Sequence, residues 1–150
     1  MASTTFSGPV TSTNGFIGAL TGNIAGTGSI THTATAITAT ATLTAAQVAT
    51  GYIAVTSATA VALTLPTGTL LGAALGAVQG TVFDLYIDNT ASTSTGIVTM
   101  VVATNGILSS GAADTPGSFG DLTIAVGATG VGRFTLMFSS ATAYVFTRTA

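Results

Sequence analysis

Seven side chains in this sequence carry a formal charge or titrate near neutral pH. They are His32, Asp84, Asp88, Asp114, Asp121, Arg133 and Arg148, in a chain of 150 residues without Lys, Glu, Cys or Trp. Nucleophilic catalysis needs a general base within hydrogen-bond reach of its nucleophile. The one histidine stands in a Thr/Ala run, where a hydrogen-bonded structural role or simple exposure is the expectation. Asp84 and Asp88 share one face of an alternating segment. Four residues of strand separate them by roughly 13 Å, too far to serve one glycosidic bond, where paired carboxylates sit ~5–9.5 Å apart. Asp114 and Asp121 flank a loop rich in oxygen ligands, but their spacing matches no calcium loop. No thiolate metal site or disulfide is available without cysteine. Two Arg and no Lys do not build a phosphate-binding surface, and no Gly-Lys-Ser/Thr loop occurs. The expectation is a non-enzymatic protein with no cofactor, no metal and no nucleic-acid partner. Arg133 and Arg148 are expected to pair with Asp residues on outward faces or across a subunit contact.

The elements that hold these residues read as strands. "YIAVTS" (52–57) and "AVALTL" (60–65) alternate apolar and small residues, with Ala58-Thr59 between them, which predicts a hairpin. A short helix is expected from Thr69 to about Val78, at the cost of roughly 1 kcal/mol for each internal glycine. "TVFDLYIDN" (81–89) places Phe83, Leu85 and Ile87 on one face and Asp84, Tyr86 and Asp88 on the other. "IVTMVVA" (97–103) predicts a strand buried on both faces or nearly so, and Asn105-Gly106 a turn. "SSGAADTPGSFG" (109–120) reads as a surface loop with Gly, Asp and Pro. "DLTIAVG" (121–127), "GRFTLMFS" (132–139) and "AYVFTRT" (143–149) complete the set, with Phe134, Leu136 and Phe138 inward. The reading is all-β: a β-sandwich or barrel-like domain of about seven strands with one short helix over residues 46–150, preceded by an extended arm over residues 1–45.

The arm has its own character. The chain is 47% hydrophobic and 4% charged, and nothing before Asp84 carries a formal charge. "TSTNGFIGALTGNIAGTG" (11–28) intersperses Phe16, Ile17, Leu20 and Ile24 with glycines. These apolar residues, with Phe6, Val10 and Ile37, are the candidate assembly contacts. "THTATAITATATLT" (31–44) has period two and no clearly apolar face. It reads either as a linker or as a strand that pairs with another subunit; low charge favours the strand, because disorder goes with high charge and low hydrophobicity.

Mean hydropathy of +0.73 raises the question of a membrane. The longest apolar run, "LLGAALGAVQG" (70–80), is shorter than the roughly 20 residues of a spanning helix, and the aromatics form no girdles. No membrane partner is expected. Surface charge keeps proteins apart, so its scarcity fits a subunit that works packed against copies of itself or a partner.

The opening "TTFSGPVTSTNGFIG" (4–18) resembles the starts of decoration, cement or head-fibre proteins of tailed bacteriophages. "TLPTGTLLGAALGAVQGTVFDLYIDNT" (64–90) is similar to the β-domains of phage particle proteins. The resemblance implies a virion structural protein, made in the host cytoplasm, that binds the major capsid protein on the outer capsid surface. It implies a homotrimer that clamps neighbouring capsomers, interlocked through its arms. Two alternatives stand beside it: a fibre or tail adhesin for a host glycan, and a self-assembling filament or membrane-associated protein.

Overall fold

The computed structural model describes residues 32–108 and 122–149. It is mostly β, with two sheets and few helices, and it is not a closed barrel. The described residues all fall in one compact unit, Thr31–Ala150, and its first strands stand before residue 46.

The reason lies in the Thr/Ala run, which pairs within its own chain. Strand β1 (Thr35–Ile37) lies parallel to β3 (Tyr52–Val55), and β2 (Ala41–Thr42) lies parallel to β4 (Val61–Thr64). Ile37 and Leu43 are buried in the core. Two well-spaced apolar residues, rather than a continuous apolar face, fix this segment's register. Between β2 and β3 stands a short helix, α1 (Ala45–Ala49), closed by a capping box in which Thr44 and Gln47 bond each other's backbone N–H.

Strands β3 and β4 do not make the expected hairpin; they belong to different sheets. Ser57 and Thr59 bond each other instead, and the chain crosses from one sheet to the next. The same crossing recurs throughout. After β4 and helix α2 (Gly68–Leu75) come β5 (Val82–Asp88), β6 (Val98–Val101), β7 (Gly106–Leu108), β8 (Thr123–Ile124), β9 (Val131–Ser140) and β10 (Ala143–Arg148). One sheet has the order β1-β3-β5-β9-β10-β7 and the other β2-β4-β6-β8. Strands of odd number thus enter the larger sheet and strands of even number the smaller, until β10 folds back antiparallel on β9.

Alternate residues of both sheets join one apolar cluster. Ile53, Val55, Leu85, Ile87, Phe134, Leu136 and Phe138 come from the larger sheet, and Val61, Leu63, Val98, Met100 and Ile124 from the smaller. Phe134 stacks on Phe146 with ring centres 4.9 Å apart, a geometry worth about 0.5–1.5 kcal/mol beyond area burial. Strand β6 is buried on one face only, because Thr99 and Val101 point outward. Arg148 turns toward the smaller sheet and donates to the Thr123 carbonyl at 2.7 Å. Its partner is thus a backbone oxygen of β8, besides any carboxylate. Asn89, fully buried, donates through Nδ2 to the carbonyls of Gly96 and Ala125 at 2.9 and 2.8 Å, which holds the end of β5.

Helix α2 explains its own glycines. Gly68 and Gly72 are four residues apart and face the turn between β9 and β10. A Cβ on Gly72 would lie 1.9 Å from the Ala141 carbonyl oxygen, and one on Gly68 2.1 Å from that of Thr142. The helical cost of these glycines is offset by a close approach that no other residue permits. Gly76 is different: it ends the helix at φ +58 with open space around it. Gly72→Ala should therefore destabilise the domain by about 2–3 kcal/mol through overpacking, against about 1 kcal/mol for Gly76→Ala through left-handed strain alone. Paired urea titrations of the two variants measure the difference.

Candidate functional site: two unlike sheet faces

The outward residues of the two sheets differ in chemistry. On the smaller sheet, register aligns Thr42, Thr64 and Val101 in one row, and Ala62, Thr99 and Thr123 in another. No charged residue stands in either row. Where β2 and β4 end, Leu43, Ala45, Leu65, Pro66, Leu70 and Ala103 line a shallow apolar groove of about 430 Å³. Leu70 is 61% exposed, Ile97 45% and Val101 39%. Thr44 and Thr67, the two helix caps, stand at the groove. The groove exists because each strand hands its chain to a helix at this end, so two helix starts meet over the last core leucines.

The larger sheet adds a charged and aromatic cluster to an outward face that also exposes Val82, Val131 and Met137. Tyr52, Tyr86 and Arg133 are aligned across β3, β5 and β9. Asp84 and Asp88 stand two residues either side of Tyr86 along β5, because strand side chains alternate faces. Arg133 donates to Asp84 Oδ2 at 2.6 Å and Thr135 donates to Oδ1 at 2.7 Å. The Tyr52 hydroxyl donates to Asp88 Oδ2 at 2.5 Å, and Thr90 donates to Oδ1 through both its N–H and its hydroxyl. The Arg133 guanidinium lies 5.9 Å from the Tyr86 ring centre, within cation–π range.

His32 closes one side of this cluster. Its Nδ1 sits 2.8 Å from the Thr50 carbonyl, and a carbonyl only accepts, so Nδ1 carries the proton. Its ring is 6.0 Å from that of Tyr86 and lies over Gly51, at φ +77, where a Cβ would come within 2.6 Å of Nδ1. The expected hydrogen-bonded structural role for His32 is thus what the structure gives. The expected pairing of Arg133 with an Asp on an outward face is also found, with Asp84 as the partner.

The remaining sequence candidates fall elsewhere. Ile37 lies on β1 in the domain's own core. Phe6, Val10, Phe16, Ile17, Leu20, Ile24 and the loop with Asp114 and Asp121 lie outside the described residues. Among the described residues, no three His or Asp side chains gather to hold a metal ion, and no helix is long and apolar enough to cross a membrane. Sequence reasoning missed the Tyr52–Tyr86 pair. The signal was present as Tyr-Ile at 52–53 and again at 86–87, the same register of two neighbouring parallel strands.

Hydrogen bonds set the acidity of this face. The Thr135 hydroxyl, then Arg133, hold the Asp84 carboxyl below its ordinary value. The Thr90 hydroxyl, then Tyr52, do the same for Asp88. A carboxyl whose folded pKa is depressed adds stability above its unfolded pKa of about 3.9 and loses it as pH falls through the folded value. Thermal stability should therefore drop below about pH 4, with a shallower drop in Asp84→Asn and Asp88→Asn; melting curves from pH 2 to 7 measure it. Both groups are near the surface, so the effect should be small and salt-sensitive. No family model, curated protein or solved structure matches the chain.

Proposed function

We propose that this chain is a non-enzymatic virion structural protein: a β-sandwich subunit that decorates the outer capsid of a tailed bacteriophage and reinforces contacts between capsomers. Its partners are the major capsid protein and sister copies, with a homotrimer as the working assembly. The observation that carries the reading is the uncharged outer face of the smaller sheet. Thr, Ala and Val rows beside an apolar groove lose little on desolvation, since no charge has to be stripped of water. Exposed Leu70, Ile97 and Val101 add apolar area to bury. The residues before Thr31 add Phe6, Phe16, Ile17, Leu20 and Ile24 as further uncharged anchors, and they supply the interlocking arm. The resemblance of residues 4–18 to decoration-protein starts points the same way.

The test mixes the purified chain with undecorated capsids of a tailed phage that encodes it. Co-sedimentation and a raised capsid disruption temperature are expected. Leu70→Asp together with Val101→Asp should weaken capsid binding at least tenfold, about 1.4 kcal/mol, while leaving the fold intact, because both side chains point outward. A chain lacking residues 1–31 keeps every strand named above and should fold, but lose assembly. Absence of binding by the intact chain overturns the proposal.

A further inference from the structure

The face of the larger sheet is not explained by capsid attachment. It gathers Asp84, Asp88 and Arg133, three of the six charged residues, with two of the three tyrosines and the one histidine. Cross-strand tyrosine and ion pairs also occur for stability alone, at roughly 0.2–1 kcal/mol each. That does not account for their concentration at one place in a chain that is otherwise almost uncharged.

The layout is a cross. Tyr86 is at the centre, Tyr52 and Arg133 lie one strand to either side, and Asp84 and Asp88 lie two residues to either side. The arms measure roughly 10 Å across the strands and 13 Å along them, a flat platform the size of a short oligosaccharide. We infer that this platform binds a neutral glycan. A sugar ring has an apolar C–H face and a rim of hydroxyls. The half-buried phenols of Tyr52 and Tyr86, with the Arg133 guanidinium over the Tyr86 ring and the His32 ring beside it, offer apolar edges and polar tips. The carboxylates accept from hydroxyls and the guanidinium donates to them.

The polar groups are held in place before any ligand arrives. The named bonds use two of the roughly four acceptor sites on Asp84 and three on Asp88, so each keeps acceptor capacity. Arg133 is 44% exposed and Asp84 33%, so both are reachable. Fixed groups lose little freedom on binding. Charge selects the ligand class: two carboxylates against one guanidinium leave the platform negative, which disfavours sialylated, sulfated or phosphorylated sugars. The platform is shallow, so single-site binding is weak, and many copies on one particle would raise it by avidity. The inference stands on this face alone and does not depend on the capsid reading.

The test titrates the isotopically labelled full chain with maltotriose, cellotriose, lactose and tri-N-acetylchitotriose, and with 3′-sialyllactose as the acidic probe, following amide shifts by NMR. At least one neutral probe should bind at millimolar concentration, with shifts centred on Tyr52, Tyr86, Arg133 and Thr135. Tyr86→Ala should weaken that binding at least tenfold and Tyr86→Phe less than threefold. Arg133→Ala, a change on an exposed side chain, should weaken it at least fivefold and serves where Tyr86→Ala fails to fold. No shifts on this face with any neutral probe, stronger binding of 3′-sialyllactose, or unchanged affinity in a folded Tyr86→Ala or Arg133→Ala variant each overturn the inference. A chain that binds sugar but not capsids would refute the capsid reading and leave this one standing.

Discussion

The structure depends on parallel pairing between strands that are not consecutive. β1, β3 and β5 pair in one sheet while β2, β4 and β6 pair in the other. A parallel neighbour cannot be reached through a tight turn; it needs a crossover. Here each of these four crossovers carries a strand of the opposite sheet and a helix, α1 for β1–β3 and β2–β4, α2 for β3–β5 and β4–β6. Both sheets therefore grow together, and neither has an inward face without the other. The antiparallel β9–β10 pair then extends the larger sheet, with β7 beyond it at the edge, and supplies Phe134, Leu136, Phe138, Tyr144 and Phe146 to the core.

Close approach at α2 follows from the same constraint. A helix that links the smaller sheet to the larger must pass the β9–β10 turn. With Gly68 and Gly72 it lies directly on the carbonyls of Thr142 and Ala141. Tyr144 locks this corner from inside: its hydroxyl donates to the Pro66 carbonyl at 3.0 Å, and burial pushes the phenol up to about 12. The Gly68/Gly72 pair is thus a packing device within a helix of eight residues, with its reason about seventy positions further along the sequence, beyond the reach of a local reading.

Alternation made most strands legible. Leu85, Ile87, Phe134, Leu136 and Phe138 point inward as period two requires, and Pro66 and the Thr67 cap mark where β4 gives way to α2. The partners of the strands were not legible. A two-residue gap such as Ala58-Thr59 fits a hairpin and a change of sheet equally well, because local spacing does not encode which sheet a strand joins. The Thr/Ala run was ambiguous for a related reason: its register rests on Ile37 and Leu43 alone, and both find their partners within the same chain. In β6 the apolar Val101 suggested burial on two faces, yet it stands on an uncharged outer surface that tolerates apolar residues. The repeat behind the fold left only faint traces, Thr-Leu before each helix cap and Tyr-Ile in each following strand.

Those traces bear directly on the candidate site. The parallel step that sets Tyr52 beside Tyr86 also sets Thr42 beside Thr64 on the other sheet. One repeated unit thus yields a tyrosine row on one face and a threonine row on the opposite face. Among the described residues the charges are then added asymmetrically: Asp84 and Asp88 on β5 and Arg133 on β9 stand on the larger sheet's outward face, whereas Arg148 turns toward β8. With so few charges, their placement decides which side keeps its water. Ionised groups are costly to desolvate, so the part of the larger sheet's face around Tyr86 favours solvent, while Val82, Val131 and Met137 leave apolar area exposed on the same face.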